Sequence, residues 1–67
     1  MITHTWRMHR VMSSREMALM RREWPTARQM LTWRDTPEYW LKVTCTDHQA
    51  LLIELKWSGL FVCKDGM

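Results

Sequence analysis

The chain has 67 residues, 46% of them hydrophobic and 25% charged, with a net charge of +3 and a pI near 9.3. That is enough chain for a single domain spanning residues 1–67 with one small core, and it excludes a natively disordered segment. The charge is divided: residues 1–34 hold all seven arginines against Glu16 and Glu23, for +5, while residues 35–67 hold all three lysines against five acids, for −2.

In residues 3–9, His4, Trp6 and Met8 share parity against Thr5, Arg7 and His9, which suits a strand added at a sheet edge; a basic arm is the competing account. A helix is expected over about 13–24. Ser13 followed by Glu16 matches a capping box, and Met17, Met20 and Trp24 gather on one side while Arg15, Arg22 and Glu23 point away. Leu19 falls on the polar side. Pro25 ends that helix, because proline disfavours helical geometry in the residue before it. A second helix fits 26–34, with Ala27, Met30, Leu31 and Trp33 on its apolar face and Arg28, Gln29 and Thr32 opposite.

From Tyr39 the period changes to two. Residues 39–46 and 50–57 read as strands joined by a turn at Asp47-His48-Gln49, a register that pairs Val43 with Ile53 and Leu41 with Leu55. Ser58-Gly59 then reads as a hairpin turn into a strand over 60–64. The expected fold is α+β, with two amphipathic helices on a three- or four-stranded, mainly antiparallel sheet in the order β-α-α-β-β-β. Cys45 and Cys63 fall on opposite faces of that sheet and form no disulfide. Five tryptophans are many for this length, and three of them are assigned to the core.

The helix pair and following hairpin resemble a winged helix-turn-helix, carried by Ser14 to Trp33 with Leu51 to Cys63 as the wing. That resemblance implies a DNA-reading second helix presenting Thr26, Arg28, Gln29 and Thr32, with Arg21 and Arg22 on phosphate; Trp24-Pro25 stands where the family commonly has a glycine. Arg15 and Arg34 complete the basic surface. The alternative partner is an acidic protein surface, met by the arginines together with Leu19, Trp40, Leu52 and Phe61. Size and character are then similar to small phage-type viral inhibitors of larger host enzymes, and the outer sheet face also offers a homodimer contact. Arginine helices and tryptophan face are expected on opposite sides of the molecule.

No catalytic constellation is visible. The only glycines are Gly59 and Gly66, so there is no phosphate loop, and neither the cysteines nor His4, His9 and His48 have metal-ligand spacing. No cofactor or metal is expected, and Cys45 near His48 reads as an inert thiol. With no membrane-length apolar run and no secretion-type N-terminus, a soluble, cytoplasmic, non-enzymatic binding protein is expected.

Overall fold

The computed structural model describes residues 1–65. Its elements are β1 (Ile2–Met8), α1 (Ser14–Glu23), β2 (Arg28–Trp33), β3 (Pro37–Cys45), α2 (Asp47–Lys56) and β4 (Phe61–Asp65), with the four strands in one antiparallel sheet of order β2-β3-β1-β4. Class, two helices and four strands agree with the sequence expectation. The order does not: β-α-β-β-α-β replaces β-α-α-β-β-β, giving two interleaved split β-α-β units, the ferredoxin-like arrangement.

Two segments exchange type. Residues 28–33 form a strand rather than a helix, pairing rung for rung with β3 from Arg28↔Lys42 to Trp33↔Pro37. A helix of this length is marginal by itself in water, whereas the strand satisfies the outer hydrogen-bonding edge of β3. Residues 47–56 form a helix rather than a strand. Thr46 accepts from the Gln49 backbone N–H while the Gln49 side chain accepts from the Thr46 N–H, a complete capping box. Behind it, Ala50 and Ile53 are buried on the helical period. The expected pairing of Val43 with Ile53 is therefore replaced by Val43↔His4, and that of Leu41 with Leu55 by Leu41↔Trp6. Ser58-Gly59 lies in the turn between α2 and β4, not in a hairpin.

The N-terminal segment is a strand, but a central one. β1 pairs with β3 on one side and β4 on the other, so it is neither an edge nor a free arm. Its alternation explains the position: His4, Trp6 and Met8 are buried beneath the helices while Thr5 and Arg7 face the other way. Helix α1 forms as expected. Ser13 and Glu16 complete its capping box, Met17 and Met20 are buried, and the Trp24 N–H closes the last turn on the Met20 carbonyl before Pro25.

All core side chains lie on the helix side of the sheet. Trp6, Met8, Leu41, Val43 and Cys45 meet Met17, Met20, Ala50 and Ile53, with Trp24, Tyr39, Trp57 and Phe61 packed around them. Three of the five tryptophans thus build the core, and the Trp6 indole N–H donates to Glu54 of α2 at 2.9 Å. Both cysteines are free: Cys45 is buried, and Cys63, opposite Arg7, is exposed. Among the described residues no helix is long and apolar enough to cross a membrane, and no cluster of His, Cys, Asp or Glu has the geometry to hold a metal ion.

Candidate functional site

With both helices on one side, the other side of the sheet is uncovered. Strand alternation and register define what it presents. One cross-strand row runs Met30, Trp40, Arg7 and Cys63; the next runs Arg28, Lys42, Thr5 and Asp65; Thr44 and Thr3 follow, and Thr32 with Glu38 closes the opposite end. This face mixes cations and hydroxyls around one half-buried indole at its centre. Glu38 offsets Arg7 at 3.7 Å, while Arg28 and Lys42 make no ion pair among the described residues.

Trp40 is held in place. Its indole N–H donates to Thr32 Oγ1 at 3.0 Å, and the ring shares a recess of about 590 Å³ with Thr5, Met30, Arg34 and Lys42. Trp33, the last residue of β2, lines the same recess and is 69% exposed. The β2–β3 turn brings Trp33 and Arg34 there because it is short: Trp33 pairs with Pro37, and the Arg34 N–H reaches the Thr36 carbonyl.

A second recess, of about 630 Å³, adjoins the first through Lys42. It is lined by Arg21, Arg28 and Lys42 together with Thr3, Thr26 and Thr44, and includes no carboxylate. Thr26 fixes its wall, because its hydroxyl donates to the Thr44 carbonyl and accepts from the Thr44 N–H. Arg21 comes from the last turn of α1, where its Nε donates to the Ala27 carbonyl at 3.2 Å.

The residues singled out in the sequence are regrouped by this geometry. Arg21, Thr26, Arg28, Thr32 and Arg34 join Trp40 on adjoining recesses. The second helix of a winged helix-turn-helix is absent, so Thr26, Arg28, Gln29 and Thr32 read no groove from a helix. Gln29 lies on the helix side, where its carboxamide accepts from the Met12 N–H at 2.9 Å and donates to the Met12 carbonyl at 3.2 Å. Arg15 and Arg22 are exposed on α1, lining neither recess.

The expected protein-contact set is dispersed. Leu19 projects from α1 and Leu52 from α2, while Phe61 stacks on Trp6 with ring centroids 5.3 Å apart. Only Trp40 occupies the uncovered face. The supposed opposition of arginines to tryptophan therefore fails: Arg28 and Trp40 lie on adjacent strands of one surface. Lys42, Met30, Thr5, Arg7 and Trp33 are the members sequence reasoning missed, and a period of two over 28–33 contained the signal.

Elsewhere the charges are largely spent on structure. Arg10 binds both oxygens of Glu16 at 2.8 and 2.9 Å; that guanidinium, followed by the Ser13 N–H, lowers the Glu16 pKa to about 2. Lys56 pairs with Glu23. Burial pushes the Cys45 thiol up, consistent with an inert side chain. Compared with known proteins, the chain matches no family model, no curated protein and no solved structure.

Proposed function

We propose that this protein is a non-catalytic binder of single-stranded nucleic acid, which it takes on the uncovered face of its sheet. The observation that carries this reading is Trp40, oriented by Thr32 at the centre of that face, with Arg7 opposite it on β1 and Lys42 and Arg28 in the neighbouring row. Single-strand binders combine aromatic platforms, on which bases stack, with cations that follow the backbone. Sheet faces serve this purpose because they accept splayed bases without requiring a groove. An antiparallel sheet of four strands cannot enter the major groove as the expected reading helix would. Self-association through this face is disfavoured by its charge, since a second copy would set the same cations against each other.

The test is anisotropy titration of labelled dT and rU octamers at low salt. Trp40→Ala should weaken binding by about 1–3 kcal/mol, the range for a base stacked on an aromatic side chain. Leu55→Ala, on the outer side of α2, should leave it unchanged. Absence of octamer binding by the intact chain at low salt sinks the reading.

A protein partner is the second reading, and one observation favours it. Leu51, Leu52 and Leu55 are 57%, 47% and 77% exposed along the outer face of α2, an apolar stripe with no intramolecular cover. In that case Leu55→Ala, not Trp40→Ala, abolishes binding to the partner.

A further inference from the structure

The row beside Trp40 sets two cations side by side. Arg28 and Lys42 are direct cross-strand partners on the same face, and like charges so placed destabilise a sheet. Neither makes an ion pair among the described residues; the acid in their row, Asp65, stands two strands beyond Lys42 across Thr5, and the residues lining their recess include no carboxylate. A third cation is brought to the same place. Arg21 is tethered only through Nε, leaving its two terminal nitrogens without a partner among the described residues. Basic residues in a last helical turn are favoured by the helix dipole, but Arg22 answers to that equally from solvent. No such account exists for Arg28 and Lys42.

We propose that the recess formed by Arg21, Arg28 and Lys42 is a phosphate-binding subsite. This inference rests on the single-strand reading and assigns the backbone path within it. A phosphate between the three cations removes the Arg28–Lys42 repulsion, and the paired terminal nitrogens of Arg21 suit two phosphate oxygens. The Thr3 and Thr44 hydroxyls, hydrogen-bonded to each other at 3.2 Å, leave one of their two O–H groups free as a further donor in the recess. Lys42 and Trp40 are two residues apart on one strand face, about 6.8 Å. That is about the span of one extended nucleotide, so a base on Trp40 places a neighbouring phosphate over Lys42. Cation and ring thereby fix a stacking register.

The experiment compares the intact chain with the double variant Arg28→Met/Lys42→Met, using labelled dT octamer from 50 to 200 mM salt, inorganic phosphate as a second probe, and thermal unfolding of both proteins. With one phosphate held in the subsite, the slope of log K against log salt in the double variant is shallower than that of the intact chain by about 0.7, the contribution of one neutralised phosphate on a single strand. The unliganded double variant should also melt higher, because the repulsion is gone; a purely structural role for these side chains would lower the melting temperature. Octamer binding with an unchanged slope in the double variant overturns the subsite and leaves the sheet-face reading standing. If the intact chain binds no octamer, but inorganic phosphate raises its melting temperature and not that of the variant, the subsite stands and the strand reading falls. No response to either probe overturns both.

Discussion

The carboxamide of Gln29 satisfies both backbone groups of Met12, so removing it strands a donor and an acceptor at the entrance to α1. Gln29→Leu should cost about 1–3 kcal/mol in urea unfolding, the usual penalty for unsatisfied buried polar groups. Octamer affinity measured on the folded variant should not change, the opposite of what a base-reading glutamine would show. Glu16 makes a different kind of prediction. Its pKa lies near 2 in the fold against an ordinary 4.5, chiefly through Arg10. A carboxyl depressed by folding stabilises the protein above its unfolded pKa, and that contribution disappears as pH falls from about 4.5 through about 2. Glu16→Gln keeps the capping geometry but lacks the titrating group. In acid titrations followed by circular dichroism, its melting temperature should therefore vary less than the parent's across this window.

Helix α2 and strand β2 show where local reading of the chain succeeds and where it fails. Ser13-x-x-Glu16 and the Met17, Met20 spacing identified α1, because cap and apolar period agree there. Thr46-x-x-Gln49 is an equally good cap, but the alternation of Leu51, Ile53, Leu55 and Trp57 competes with it, and a segment with leucines on every side satisfies both periods. Thr46→Ala should destabilise the protein by about 1 kcal/mol in thermal or urea unfolding, with Thr46→Ser restoring most of it. A strand through these residues would predict almost no effect. For β2, Ala27, Met30, Leu31 and Trp33 imitate a helical face, and what decides the outcome is β3, whose outer edge needs a partner. No window over 26–34 contains that information. The recesses inherit the same limit: Arg28 and Trp40 each stood out as residues, but their shared surface depends on a pairing between strands.

Across the molecule, the division between arginine-rich and lysine-bearing halves does not become a division of space. β1 and β2, from the first half, flank β3 from the second, so the cations of both halves are interdigitated on one surface. The same interleaving sets a schedule for synthesis. The two central strands join Ile2 to Cys45, so the first strand made waits unpaired until most of the chain exists, and α1 forms with nothing to lie on. Pairings between such distant residues are closed late and slowly. A nascent chain that has emerged only through its arginines is a basic peptide with an unsheltered Trp6 and no binding face. The face comes into being late, when β3, joined to β2 by its short turn, pairs with β1.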